Sequence, residues 1–155
     1  MQLQSFYTIR FSDCDPFGHL NNARYIDYML NAREDHLREH LQLGLDSFYK
    51  QGIGWVVTGH EILYIRPANY NERVCIQSDL IEAGDSNLLV EMRMLDETGS
   101  TLKAIMWSKF TCVNIKTGKR ENHTPGFMEV LKEWVVTDIN VSDGLKARLM
   151  SRQAV

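Results

Sequence analysis

The chain has 155 residues, a net charge of −3 and a hydrophobic fraction of 44%, with its 24% of charged residues spread along the whole length. That size suits one domain with a buried core, and the interspersed charge argues against nucleic acid as the main partner. No apolar run approaches the roughly 20 residues needed to cross a bilayer, so no membrane span is expected. Met1 to Tyr7 carry no basic region followed by an apolar one, and no secretory signal is expected there. Cys14, Cys75 and Cys112 form no CxxC pair and cannot all pair within one chain, which points to a reduced, cytoplasmic protein.

Phe6 to Phe11 alternate aromatic and β-branched side chains with polar ones, which predicts a first strand. Ser12 to His19 are rich in turn formers, and Asn21 or Asn22 can cap a helix by accepting from a free backbone N–H. Tyr25, Ile26, Met29, Leu30, Ala32, Leu37 and Leu41 then recur at helical spacing between charged residues. They predict one long helix of about 18–20 residues ending near Leu43-Gly44, where glycine suits a C-cap. Leu45 to Lys50 read as a short helical turn. Strands are expected over 55–65, closed by Arg66-Pro67, and then over 73–82, 87–95 and 102–112, joined by short turns into an antiparallel meander. From Pro125 the residues Phe127, Val130, Leu131 and Trp134 suggest a closing helix, and Ser142 to Arg152 another short one. The expected organisation is a domain over 1–134 followed by a partly helical extension over 135–155. One apolar sheet face and one long amphipathic helix imply an α+β sandwich, with the helix packed on a curved antiparallel sheet.

The segment from Phe11 to Tyr25 reads FSDCDPFGHLNNARY. It resembles the active-site loop of the 4-hydroxybenzoyl-CoA thioesterase group of hotdog proteins, in which an aspartate is followed by Pro, a small residue, Gly and the central helix. His19-Leu20-Asn21-Asn22 with Tyr25 is also similar to the His-Val-Asn-Asn-x-x-Tyr segment of acyl-ACP thioesterases. The resemblance implies a hotdog fold, a five- to six-stranded antiparallel sheet wrapped around one long central helix. It further implies hydrolysis of an acyl-CoA or acyl-carrier thioester without metal or redox cofactor, and a homodimer or homotetramer with the site between subunits. Asp15 matches the catalytic aspartate, Gly18 the loop glycine and His19 a histidine implicated in catalysis. Bulky Phe17 departs from the small residue of the first family, which leaves open whether the acyl group is aromatic or aliphatic. Ser86 and Asn87 open a strand after a turn, where the group often places polar residues near the thioester.

Elementary chemistry supports the same loop. Thioester hydrolysis needs a base or nucleophile near the carbonyl carbon and donors aimed at the developing oxyanion. A carboxylate just ahead of a helix start lies beside free N–H groups and the positive end of the dipole. The oxyanion role is assigned to the amide near Asn22, with Gly18 permitting close backbone approach. Asp15 then activates water or attacks through a mixed anhydride.

Each assignment has a plainer counterpart. Asp15 before Pro16 can simply open a turn, Asp13 can be a solvated or capping residue, and Asn21 and Asn22 can be caps. Tyr25 reads as a pocket wall or a core residue, and Phe17, Met29 and Trp55 as acyl-pocket lining or core. A metal site on Asp13, Cys14, Asp15 and His19 lacks a second cluster at the usual spacing. Cys14 with His19 is a conceivable nucleophile pair. His36, His40, His60 and His123 read as isolated. Arg66, Lys109, Lys116, Lys119 and Arg120 are soft candidates for the CoA phosphates. The alternatives to hydrolysis are a hotdog hydratase or dehydratase and a non-catalytic acyl-CoA sensor.

Overall fold

The computed structural model describes residues 2–40 and 45–153. In chain order the elements are β1 (Leu3–Thr8), a 3-10 turn (Phe11–Asp13), α1 (Arg24–His40), α2 (Leu45–Lys50), β2 (Ile53–Tyr64), β3 (Arg73–Ala83), β4 (Asn87–Asp96), β5 (Leu102–Asn114), α3 (Pro125–Trp134) and α4 (Gly144–Gln153). Among the described residues the strands form one five-stranded sheet in the order β1-β3-β4-β5-β2. β1 pairs antiparallel with β3, from Leu3 opposite Ser78 to Thr8 opposite Arg73. β3 to β5 are the expected meander, turning at Gly84, whose N–H reaches the Asn87 carbonyl, and at Asp96, whose N–H reaches Thr101. At the other side of β5, Ile65 donates to Lys103 while Ile115 donates to Gly52, so β2 runs antiparallel to it. The protein is therefore α+β with a hotdog-type antiparallel sheet.

Two expectations shift. The first strand lies at Leu3–Thr8 rather than Phe6–Phe11, because its ladder partners run out at Arg73 and the Asp13 N–H then folds back onto the Arg10 carbonyl. The expected helix end at Leu43-Gly44 lies outside the described residues; α1 is helical from Arg24 to His40.

The chain divides into two compact units, Met1–Gln42 with Ile62–Ser78 and Met92–Ile105, and Leu43–Glu61 with Asp79–Glu91 and Met106–Val155. In the first, α1 packs on β1 and on the start of β3. The residues directly opposite each other in this ladder share a face, which puts Ser5, Tyr7, Val74, Ile76 and Ser78 together. Met29 and Ala32 of α1 are fully buried. His36 is buried as well, and it is not isolated. Its Nδ1 lies 2.7 Å from Ser78 Oγ and its Nε2 2.9 Å from Ser5 Oγ. Arg33 donates to Ser78, Ser5 donates to the Tyr7 oxygen, and Tyr7 donates to Asp35 at 2.6 Å. Donors thus run in one direction from a guanidinium to a carboxylate, which satisfies polar groups that would otherwise be costly to bury.

In the second unit the C-terminal segment is an integral part. Val136 donates to the Leu80 carbonyl of β3, and Leu131 and Leu145 are buried. Period-2 reading of β4 places Glu91 outward, yet it is fully buried, because Arg148 of α4 grips both of its oxygens at 2.9 and 3.0 Å and the Trp107 indole donates to it at 2.9 Å. An aromatic cluster joins Phe48 of α2, Trp55 of β2, His123 and Phe127 of α3, with Phe48 and Trp55 rings 5.0 Å apart and Trp55 and Phe127 5.6 Å apart. The Trp55 indole donates to His123 Nε2 at 3.1 Å, so the ring proton sits on Nδ1, which faces the Gly84 carbonyl at 3.0 Å.

Burial pushes His123 below the ordinary histidine value, against the opposing pull of the Gly84 carbonyl and the Asp85 charge. A histidine depressed in the folded state contributes stability that is present above about pH 6.5 and is lost as pH falls through the folded value. Thermal melts between pH 7.5 and 4.5 should therefore show a falling midpoint on acidification. Part of that slope should vanish in His123→Gln, which keeps an acceptor for the indole; an identical slope in the variant assigns the effect elsewhere.

Candidate active site

The loop between β1 and α1 is a small paired structure within the first unit. Its two limbs meet at Cys14 and Leu20, and the Asp15 N–H donates to His19 O at 2.8 Å. The outer limb is itself paired to the segment before β3. Leu20 donates to Ala68 O, Tyr70 donates to Gly18 O at 2.7 Å, and His19 bridges Asn69. The tip needs a left-handed residue, and Gly18 supplies it at φ +75°.

Asp15 sits at the base of this tip, half-buried. Its Oδ1 accepts from the Phe17 N–H at 2.9 Å and the His19 N–H at 3.1 Å. Both amides hold the same oxygen, so the carboxylate is oriented by its own loop and Oδ2 is left without a partner among the described residues. The plain turn-opener role is thus real, yet it occupies only one of the two oxygens.

At the helix start Asn21 does the capping. Its carbonyl accepts from the Arg24 N–H at 2.8 Å and its side chain from the Ala23 N–H at 3.3 Å. The Asn22 N–H has no acceptor among the described residues, and the Asn22 carbonyl takes the Tyr64 hydroxyl at 2.7 Å. Asp13 is tied to α1, its Oδ2 accepting from Tyr28 at 2.6 Å while the Tyr28 oxygen accepts from the Arg10 N–H. Burial and the adjacent Asp13 push the Tyr28 phenol up to about 12.

The remaining candidates fall in different settings. His19 is half-buried, with its ring 6.4 Å from that of Phe17. Phe17 is 83% exposed. Tyr25 is buried, and its oxygen accepts from the Ala68 N–H at 3.0 Å, which makes it a brace between α1 and the segment the loop pairs with. Met29 is core. Ser86 and Asn87 belong to the second unit, where the Ser86 carbonyl accepts from Cys112 and the Asn87 side chain from Thr111. Lys116 and Lys119 lie exposed in the turn after β5. Cys14 does not suit nucleophilic chemistry: partial burial and the Asp13 and Asp15 charges push its thiol up, and the thiol donates to Arg10 O. No group of three His, Cys, Asp or Glu side chains gathers into a metal site among the described residues. No helix there is long and apolar enough to cross a membrane.

Tyr28 and Tyr64 were not legible as parts of this site. Tyr28 follows Tyr25 by one helical turn and reads as more of the same stripe; Tyr64 closes a strand 42 residues from the carbonyl it holds. On another side of the loop a cavity of about 360 Å³ is lined by Tyr7, Arg10, Asp13, Asp27, Tyr28 and Asn31 among others, and Asp15, His19 and Asn22 do not line it.

The loop thus holds an oriented carboxylate, and the helix start an amide without an acceptor among the described residues. Residues 9–135 match the thioesterase-like superfamily, and the chain belongs to it. It is a thioester hydrolase. Among curated relatives it is 31% identical over 121 residues to the long-chain acyl-CoA thioesterase FadM of Escherichia coli (strain K12), covering 76% of this chain and 87% of that one. Among solved structures it is similar to YbaW, a probable thioesterase from Escherichia coli, with TM-score 0.74 and 25% identity over 86% of this chain and 99% of that one. It shares the fold of the DHNA-CoA thioesterase from Staphylococcus aureus, with TM-score 0.78 and 19% identity over 85% and 89% of the two chains.

Proposed function

We propose that the protein hydrolyses acyl-CoA thioesters to the free acid and CoA, with Asp15 as general base or nucleophile and the Asn22 N–H as an oxyanion donor. The observation that carries the reading is the division of labour within Asp15. Oδ1 is held by the Phe17 and His19 amides, and Oδ2 remains for chemistry. Oδ2 takes the proton of an attacking water, or adds to the thioester carbon itself to give a mixed anhydride that water then opens. In both cases the C–S bond breaks and CoA leaves as a thiolate that is protonated from water. Either way charge develops on the carbonyl oxygen, where an unpartnered amide at the positive end of α1 stabilises it. His19 lies on the same tip and serves to orient the thioester. Two of the proteins named above, FadM and the DHNA-CoA thioesterase, act on CoA thioesters by their names, which supports CoA as the carrier.

The acyl group is read as apolar and aliphatic. Phe17 and Phe11 are 83% and 78% exposed, and Phe11 stands edge-on to Tyr70 at 5.9 Å, so the loop presents bare aromatic surface of the kind that takes up an apolar chain. Two copies are read as forming the working unit. β2 is an outer strand with Val56 and Val57 exposed, an edge that a second copy would cover.

The test is thiol release from a panel of acyl-CoAs of increasing chain length, with an aromatic acyl-CoA included. The expected result is a kcat/KM that rises with chain length and is low for the aromatic ester. No release from any member would overturn the reading. Single turnover in ¹⁸O-water separates the two roles of Asp15, since only a mixed anhydride leaves label in the protein.

A further inference from the structure

We propose that Tyr64, the last residue of β2, is a positioning residue for the reaction, its hydroxyl holding the Asn22 carbonyl and so fixing the turn that presents the Asn22 N–H. The inference rests on the reading of Asn22 as the oxyanion donor. Peptide units are planar, with C=O and N–H pointing opposite ways, so the direction of an amide is fixed by what its own unit and its neighbour are bound to. In the unit joining Asn21 to Asn22, the carbonyl is locked onto the Arg24 N–H at 2.8 Å, which turns the Asn22 N–H away from the first helical turn. In the next unit the Ala23 N–H makes only a long bond of 3.3 Å to the Asn21 side chain, whereas the carbonyl takes the Tyr64 hydroxyl at 2.7 Å. Residue 22 is therefore held on both sides, by the Arg24 amide through the unit that carries its N–H and by β2 through the next unit.

Tyr64 is itself well placed to hold a position. Its ring meets that of Tyr25 edge to face at 5.1 Å, and Tyr25 is buried and bonded to the Ala68 N–H. Ala68 in turn accepts from Leu20 on the loop that carries Asp15. One connected set of contacts thus relates the amide and the carboxylate to the same backbone segment. Tyr64 is 43% exposed and its hydroxyl meets an exposed residue, so that bond contributes little to folding.

Tyr64→Phe keeps the ring against Tyr25 and removes the single hydroxyl. Losing an oxyanion donor outright costs about 10²–10³ in kcat, and loosening one costs less, so a fall in kcat of roughly tenfold with KM within about twofold is expected. The melting temperature should barely move. Tyr64→Leu should lose stability as well, with a kcat no higher than that of the Phe variant when both are assayed well below their melting temperatures. Unchanged kcat in Tyr64→Phe overturns the inference, and so does a raised KM at full kcat, which would make Tyr64 a substrate contact. Full kcat in Tyr64→Phe beside an inactive Asp15→Asn overturns this inference alone; absence of thiol release from the unaltered protein overturns the functional reading and this inference with it.

Discussion

Asp15→Asn should abolish most thiol release while leaving the protein folded. Asparagine is the informative replacement because its side-chain carbonyl still accepts from the Phe17 and His19 amides, so the loop keeps its shape. The change is confined to the other atom, where an NH₂ stands in place of Oδ2, and an amide nitrogen neither accepts the proton of water nor attacks a thioester carbon. General-base or nucleophilic assistance is worth about 10²–10⁴ in rate, and a loss of roughly 10³ in kcat is expected, with KM little changed. Asp15→Ala should lose activity too, but it also frees two loop amides, so a fall in melting temperature is expected there and not in the Asn variant. Full thiol release by Asp15→Asn would show that the carboxylate only shapes the loop. Steady-state assays paired with thermal melts on the two variants decide the matter.

The second large effect concerns stability. Arg148→Ala should destabilise the protein by roughly 3–5 kcal/mol, the usual result of breaking a buried ion pair from one side. Glu91 is fully buried and the Arg148 side chain is 17% exposed; two of its guanidinium nitrogens bind the two carboxylate oxygens. Removing it strips the buried carboxylate of its bidentate partner, with the Trp107 indole still donating to it. Exchanging both members for apolar residues, as in Glu91→Leu with Arg148→Leu, should recover part of the loss, since neither charge of the pair then stays buried while the Trp107 indole loses its acceptor. Urea unfolding of the single and double variants measures the difference. A loss below about 1 kcal/mol in Arg148→Ala would place the pair among weak surface interactions.

Much of the architecture was legible because it depends on local pattern. Period-2 runs separated by Gly84 and by Asp96 to Gly99 can only be an antiparallel meander, and a 3.6-period stripe from Tyr25 onward can only be a helix. The motif around Asp15 was legible for a related reason. The residues concerned lie within one short loop whose internal pairings join residues close in sequence, such as Asp15 to Phe17 and Cys14 to Leu20. A glycine at the one left-handed position and a capping asparagine are consequences of that backbone, so they are written at the same place in the chain.

What sequence could not supply are the partnerships between distant residues. Glu91 and Arg93 look like solvent-facing charges on an alternating strand, and only the docking of α4 onto β4 makes Glu91 a buried group with a partner 57 residues away. His36 and His123 look solitary, because Ser5, Ser78 and Trp55 come to them from other elements. Tyr64 reads as one more aromatic closing a strand, until the sheet order brings it to the Asn22 carbonyl. The sequence by itself determined the sheet's meander, through propensity and periodicity, and the class of protein, through the resemblance of its Phe11–Tyr25 loop to a known family; it also pointed to Asp15 as the carboxylate proposed above for the chemistry. Only the tertiary structure decided which oxygen of Asp15 is free, which amide at the helix start lacks a partner and which tyrosine donates to the Asn22 carbonyl, because those depend on the directions of groups that meet only when the chain is folded.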